Sequence, residues 1–448
     1  MMTRLLLPPF SRRRLLGAAG AASLLASGAH AQSATADNGP AIQVSGAQNA
    51  PIPIAISPFA TSGVGAQITQ VITDDLSHSG LFRAIDPSSF VPNSVNNGTP
   101  VWQNWSLLGA QGLVTGDVQD SGGGQLRVEF RLWNVQSQAQ VQGTAYTTTK
   151  DNWRRIAHII ADTVYQQMIG EKGYFDSRVA FISVSGPVTS PIRRLAVMDY
   201  DGANVQFLTN GANMALSPQY NPVRQQLAFV SYRGGGSPRV YLFDLQTGAT
   251  KLVGSFGEMT IGPRFSPDGN SLLMSVGHNG GASIIRTNLN GGGMTQLTDS
   301  SSINVTPCYS PDGSQIAFNS DRDGNQQLFV MNADGSGVKR ISFGPGQYAE
   351  PCWSPRGDLI AYTFWGSGGF SIGVMAPDGT GERIIAQGWL VEGASFCPNG
   401  RVIMFYRQSP TASGHSSNLV TIGVDGFNER MVDTPTYASD PSWGPLLA

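Results

Sequence analysis

The chain has 448 residues, 55 of them Gly and 27 Pro, and only 13% are charged. That length exceeds one ordinary core, and the Gly and Pro content fits many short strands joined by tight turns, which excludes an all-helical protein. The formal charge is −2, and residues 1–31 carry four Arg and no acid, so the rest of the chain is net acidic. Nucleic acid is therefore not expected as a partner, because binding its backbone needs clustered positive charge.

In chain order, Arg4 and Arg12-Arg13-Arg14 precede an apolar run over residues 15–26 and a small-x-small site, Ala29-His30-Ala31. This pattern predicts an export signal over residues 1–31, cut after Ala31. The residues around the arginines resemble a twin-arginine signal, and the general export route stays open beside it. The apolar run falls short of the roughly 20 residues a membrane span needs, so no transmembrane span is expected. Residues 32–40 are small and polar, and they read as a mobile arm.

Residues 41–173 read as an α/β domain. A strand is predicted over 52–56, followed by an amphipathic helix with Ile68, Val71, Ile72 and Leu76 on one face, closed by Gly80. Residues 127–133 alternate strictly, with Val128, Phe130 and Leu132 on one face and Arg127, Glu129 and Arg131 on the other. Gly122-Gly123-Gly124 supplies a hairpin turn before them, and 141–148 is the expected partner strand. A helix over 153–169 places Trp153, Ile156, Ala157, Ile160, Ala161, Val164, Tyr165 and Met168 on one stripe and stops at Gly170. Residues 173–176 read as a hinge.

From 177 to 448 two short motifs interleave. The first is Ser266-Pro267-Asp268-Gly269, then Ser310-Pro311-Asp312-Gly313, Ser354-Pro355-Arg356-Gly357 and Cys397-Pro398-Asn399-Gly400, with partial copies at Ser217-Pro218 and Gly444-Pro445. The second is an Asp-Gly-like pair at 201, 247, 290, 334, 378 and 425. A period of about 44 residues lies in the propeller-blade range, and Pro followed by Gly has the backbone preferences that such turns require. Second strands counted from Val179, Leu227, Leu272, Ile316, Leu359 and Val402 give six blades. The repeats begin with a second strand and end with a first-strand sequence at 438–443, so the C-terminus should supply the inner strand of the first blade. Closing so long a segment costs about 5 kcal/mol of chain entropy. The fold class is thus mainly β: a six-bladed β-propeller preceded by a smaller α/β domain.

Candidate catalytic and metal motifs are few and fit the blade pattern as ordinary turns and strands. Gly369-Phe370-Ser371-Ile372-Gly373 matches a nucleophile elbow, but Ser371 falls in the third strand of a blade, not between a strand and a helix. His78 and His158 read as solvated surface, and the five His lack the spacing of a zinc site. The segment beginning Asp321-Arg322-Asp323 lacks the acidic residue that would complete a calcium loop. No catalytic residue, metal or cofactor is expected. Cys308 and Cys352 occupy equivalent positions in successive repeats, a whole blade apart, and with Cys397 they read as small buried hydrophobes rather than a bridge.

The sequence does offer a surface. The loops entering the inner strands ring one mouth of the axial channel. They carry Met259, Thr260 and Ile261; Asn304, Val305 and Thr306; Tyr348, Ala349 and Glu350; Trp389 and Glu392; and Tyr437. Exposed Trp, Tyr, Met and Ile at loop tips suit a protein interface. The rival reading is a hydrolase or small-ligand-binding propeller that uses the channel.

An export signal, an α/β domain and six Ser-Pro-Asp-Gly repeats in this order resemble the TolB family of the Tol-Pal system. Ile54-Ala55-Ile56-Ser57-Pro58-Phe59, Asp75-Leu76-Ser77-His78-Ser79-Gly80, Val197-Met198-Asp199-Tyr200-Asp201-Gly202 and Pro441-Ser442-Trp443-Gly444-Pro445 extend the likeness. The resemblance implies a monomeric periplasmic adaptor without enzymatic activity. Its mouth would receive the lipoprotein Pal and its N-terminal region, through Ala41, Ile42, Gln43, Val44 and Ser45, would engage TolA. It further implies a role in outer-membrane integrity and invagination at division, and exploitation by colicin-type bacteriocins, with other envelope lipoproteins as further partners. Where relatives can have a polar or His residue, this chain has Met259.

Overall fold

The computed structural model of the chain describes residues 50–60, 63–96, 98–187, 189–254, 256, 259–278, 280–411 and 414–447. The predicted signal, the arm and residues 41–45 lie outside the described residues.

The smaller domain is built on one five-stranded sheet. Its elements are β1 (Ile52–Ile56), α1 (Gly63–His78), β2 (Phe82–Ala84), a short ladder of β3 (Val95–Asn96) and β4 (Thr99–Pro100), α2 (Trp102–Leu107), β5 (Gly112–Gly122), β6 (Gln125–Asn134), β7 (Ala139–Thr149) and α3 (Trp153–Ile169). The sheet order is β2-β1-β5-β6-β7, with β1 parallel to both β2 and β5 and the remainder antiparallel. The alternation along β6 behaves as read: Val128, Phe130 and Leu132 are buried, while Arg127 and Arg131 face water. That face packs on α1 and α3, whose stripes bury Ile68, Ile72 and Leu76 against Ile156, Ile160 and Val164. Gly170 ends α3 in the left-handed region (φ 83°), its N–H returning to Gln166 O at 2.9 Å, a glycine C-cap. The opposite face of the sheet is covered by α2 through Trp105, which packs with Ala55, Leu113 and Val135.

The segment expected to be a hinge is welded in place. Tyr174 and Phe175 are buried, and Asp162 of α3 accepts the N–H groups of Phe175 and Asp176 at 2.8 and 2.9 Å. A Cβ on Gly173 would lie 1.9 Å from Asp162 Oδ1, so only Gly allows this approach. Apolar residues of α1, α3 and the propeller, among them Tyr200, Val402, Leu419 and Trp443, form one continuous cluster. The hinge reading failed because Gly and Asp signal a turn whether or not the neighbouring aromatics are buried.

Six four-stranded sheets follow. Blade four shows the pattern, with Asn304–Tyr309 innermost, then Gln315–Ser320, Gln327–Asn332 and Lys339–Arg340. Its inner turn closes through Gly313 N–H to Ser310 O at 2.9 Å, and Asp312 accepts from Ser310 Oγ at 2.6 Å. Blade one contains Ser177–Ser185, Ile192–Asp199 and Gln206–Phe207, and takes its inner strand from Tyr437–Leu446. The closing strand pairs Ala438 with Ser183 and Trp443 with Val179. Middle strands are buried on both faces, as in Leu227 to Val230, because each blade is covered by two neighbours.

Candidate functional site: the axial mouth and the domain seam

Every inner strand slips register at an equivalent position around the axis, and the closing strand slips a second time between Trp443 and Leu446. The shared slip lies between Ser439 and Ser442, Leu216 and Gln219, Ile261 and Arg264, Val305 and Cys308, Ala349 and Cys352, and Glu392 and Ser395. One residue in each gap has positive φ: Asp440 (52°), Ser217 (47°), Gly262 (61°), Thr306 (50°), Glu350 (52°) and Gly393 (72°). A bulge re-aims its side chain and bends the strand. Gly takes this backbone freely, whereas a side-chain-bearing residue held there costs about 1–3 kcal/mol. Four of the six positions carry that strain.

The bulges bring carboxyls into the bore. Glu350 Oε2 accepts from Gly393 N–H of the next blade at 3.0 Å and from Thr363 Oγ1 at 3.3 Å. Glu392 Oε2 accepts from the Tyr406 hydroxyl at 2.6 Å, and Asp440 from Ser439 Oγ at 2.7 Å. Burial pushes all three carboxyls above their ordinary range; Asp440 adds to the effect on Glu350, and Glu350 to that on Glu392.

Around the entrance Met259, Trp389 and Tyr437 are exposed, and Ile261, Val305, Thr306 and Ala349 are half-buried, as are the acids Glu350 and Glu392 themselves. Thr260, Asn304 and Tyr348 are buried, which corrects their reading as exposed loop-tip residues. Asn304 Nδ2 donates to Ala282 O and Asp299 O, both at 3.0 Å, while its Oδ1 receives Arg322 Nη2 at 2.7 Å. It braces the loop from inside. The Tyr348 ring lies between Tyr362 and Phe364, and its hydroxyl donates to Glu382 at 2.6 Å. Sequence reading missed Phe343, 72% exposed, and Trp365, which stacks on Phe370 with ring centres 5.5 Å apart. Phe343 lies in the connection into the inner strand of blade five, so counting back a few residues from that strand would have found it.

At the opposite end of the axis the α/β domain meets the blades through buried polar groups. His158 is almost fully buried, which corrects its reading as solvated surface. Its Nδ1 lies 2.7 Å from Asp75 Oδ2, and the Tyr200 hydroxyl donates to Asp75 Oδ1 at 2.6 Å. Asp201, paired with Arg154, stands 4.0 Å from His158 Nε2. Burial alone would lower the His158 pKa; the charge and hydrogen bond of Asp75, with Asp201 behind it, raise it to about 9. The position escaped notice because α3 meets a second apolar surface beyond the sheet-facing stripe. His78 is half-buried rather than solvated, and burial followed by Arg430 lowers its pKa. Asp75, His158 and Asp201 offer ligand atoms close enough to hold a metal ion. Their positive charge is already supplied by His158 and Arg154, so the geometry reads as an internally neutralised seam.

Ser371 lies mid-strand in Gly369–Met375, buried and paired across to Phe364, which is not the strand-to-helix turn of a nucleophile elbow. The Asp321 loop is a turn, with Gly324 N–H bonded to Asp321 O at 2.8 Å. Among the described residues no helix is long and apolar enough to cross a membrane.

The class defined by these features is a closed six-bladed propeller joined through a buried seam to a small α/β domain, with an apolar-rimmed axial mouth. Residues 165–447 match the family model described as the TolB beta propeller domain, and residues 40–141 match the TolB amino-terminal domain. The chain belongs to the TolB family. It is similar to the Tol-Pal system protein TolB of Gluconobacter oxydans strain 621H, with 52% identity over 445 residues covering 97% of this chain and 96% of that one. The crystal structure of TolB from Acinetobacter baumannii superposes with a TM-score of 0.79 at 26% identity, covering 88% of this chain and 97% of the other.

Proposed function

We propose that this protein is a non-enzymatic periplasmic adaptor of the Tol-Pal system. The propeller mouth binds the lipoprotein Pal, and the N-terminal region around Ala41, Ile42, Gln43, Val44 and Ser45 engages TolA. Through the two contacts it serves outer-membrane integrity and the invagination of that membrane at division, and colicin-type bacteriocins use the same mouth. The domain limits proposed for this role are 41–173 and 177–448, behind a signal cut after Ala31 and a free arm.

The observation that carries the reading is the rim itself. Met259, Trp389 and Tyr437 are exposed around a strained, acid-lined opening, with Phe343 and Trp365 beside them. Aromatic anchors set over a partly desolvated cavity are the residue types that dominate protein recognition. Of the predicted residues, Met259, Ile261, Val305, Trp389 and Tyr437 are the proposed contacts; Thr260, Asn304 and Tyr348 support them from below. A calorimetric titration of the mature protein with purified soluble Pal tests this. Val305→Asp should weaken binding at least about tenfold, roughly 1.4 kcal/mol. Equal affinity of wild type and variant, or no heat of binding at all, would remove the mouth from the role.

A further inference from the structure

Three residues before the turn prolines Pro311, Pro398 and Pro445, just past the bulge, the inner strands carry side chains that tie one blade to the next. Ser442 Oγ accepts the N–H of Tyr220 at 2.9 Å, and Ser395 Oγ accepts the N–H of Trp443 at 2.9 Å. In blades four and five the same position is Cys308 and Cys352. Cys308 Sγ accepts the N–H of Trp353 at 3.2 Å, which puts this sulfur against the backbone of the residue following Cys352. Both thiols are free, as the sequence reading had them, but the whole-blade separation which that reading assumed is much reduced at the axis. There the inner strands converge so closely that a Cβ on Gly262 would lie 3.7 Å from the Thr306 Cα of the next blade.

We propose that Cys308 and Cys352 form a reversible dithiol–disulfide site linking blades four and five at the domain-facing end of the channel. Both thiols are free and line an open cavity of about 600 Å³, together with Arg264 and the turn residues Pro311 and Pro355. A small disulfide of the glutathione type has room to enter. The thiolate of Cys308 attacks one sulfur of that disulfide, expelling its partner as a thiolate and forming a mixed disulfide. Cys352, as thiolate, then displaces the second small thiol and closes the Cys308–Cys352 bond. Two electrons and two protons pass from the protein thiols to the small disulfide, which leaves as two thiols. The hydrogen bond between the two thiols, with Arg264 nearby, lowers Cys308 against the opposing effect of burial and raises Cys352, an effect that ends once Cys308 is held in the mixed disulfide, so Cys308 is assigned the first attack. Cys397 is set apart by position: it replaces the Ser of the turn motif, and its sulfur takes Val402 N–H at 3.2 Å.

The test incubates the full mature chain with oxidised glutathione, blocks remaining thiols with an alkylating agent under denaturing conditions, and maps the peptides. The expected result is a fall from three alkylated cysteines to one, Cys397, with a Cys308–Cys352 linked peptide that dithiothreitol removes. In Cys352→Ser the glutathione should remain attached to Cys308. Serine already fills this position in two blades, so that variant should keep the fold, confirmed by an unchanged circular-dichroism melt. Three alkylated cysteines after oxidation, or a bridge that includes Cys397, would overturn the proposal.

Discussion

The end of the axis that faces the α/β domain and the end that faces away from it use the same repeats for different work. At the domain end Tyr174, Tyr200 and Trp443 pack in one apolar cluster, and Asp75 is paired across the seam with His158 and Tyr200. At the free end the strands leave the sheet through bulges, hold side-chain-bearing residues at positive φ and expose Met259, Trp389 and Tyr437. Six blades of one four-stranded plan thus separate stability from recognition along one axis. Strain is affordable at the mouth because the seam and the ring closure hold the blades in place.

The sharpest way to break this comparison is to remove residues after Thr434. The deletion takes away the inner strand of blade one, with its pairing from Tyr437 opposite Val184 to Leu446 opposite Ser177, and the buried Trp443. Loss of the Trp443 side chain alone is worth about 3–5 kcal/mol. A melting temperature lower by more than about 10 °C is expected by calorimetry. An unchanged transition would show that closure does not hold the ring.

Next in size is the seam. His158→Ala leaves Asp75 buried without its cationic partner and should cost about 3–5 kcal/mol. The charge also predicts a pH signature. The His158 pKa rises from 6.5 in the unfolded chain to about 9 in the folded one. Its stabilisation is therefore complete below pH 6.5 and disappears as pH rises through about 9. Denaturant titrations from pH 6 to 10 should show that decline in the wild type and not in His158→Ala; parallel curves would mean that His158 is neutral when folded.

At the mouth the expected effect is on binding rather than on folding. Trp389→Asp should weaken Pal at least about tenfold by calorimetry while unfolding free energy stays within about 0.5 kcal/mol. Tyr348→Phe supplies the contrast. It removes the bond to Glu382 under the rim, so a stability loss of about 1 kcal/mol with unchanged Pal affinity is expected. If Tyr348→Phe weakened Pal as much as Trp389→Asp, support and contact would not be separable.

Blade number, ring closure and the β6 alternation were legible because each rests on a period, of about 44 residues or of two, that only local turn and pleat geometry produces. What was not legible depends on where distant segments meet. His158 and Tyr174 carry no local mark of burial, since the surface that covers them is supplied by residues such as Tyr200 and Trp443. Tyr348 and Trp389 belong to equivalent loops and look alike as sequence, yet Phe364 and Tyr362 cover one and leave the other in water. The bulges were equally hidden: Glu350 and Asp440 adopt a backbone that Gly262 and Gly393 adopt freely, so residue type alone marks only two of the six.

The smallest expected effect bears on how the domains stay joined. Glu171, just after α3, bonds Arg401 Nε at 2.9 Å and Arg356 Nη1 at 3.2 Å, bridging the α/β domain to the turns of blades five and six. All three side chains are about a third or more exposed, and exposed pairs contribute about 0.2–1 kcal/mol at most. The Arg401 hydrogen bond, with help from Arg356, lowers the Glu171 pKa. Whatever Glu171 contributes is thus present above its ordinary value of 4.5 and lost as pH falls through the lower folded value. Glu171→Gln should accordingly change stability by under about 1 kcal/mol at neutral pH, with the difference shrinking in 0.5 M salt. Because Tyr174 and Phe175 share the propeller's core, the two domains should still unfold in one transition in this variant. Two separate transitions would make the surface bridge, and not the buried seam, the element that couples the domain to the ring.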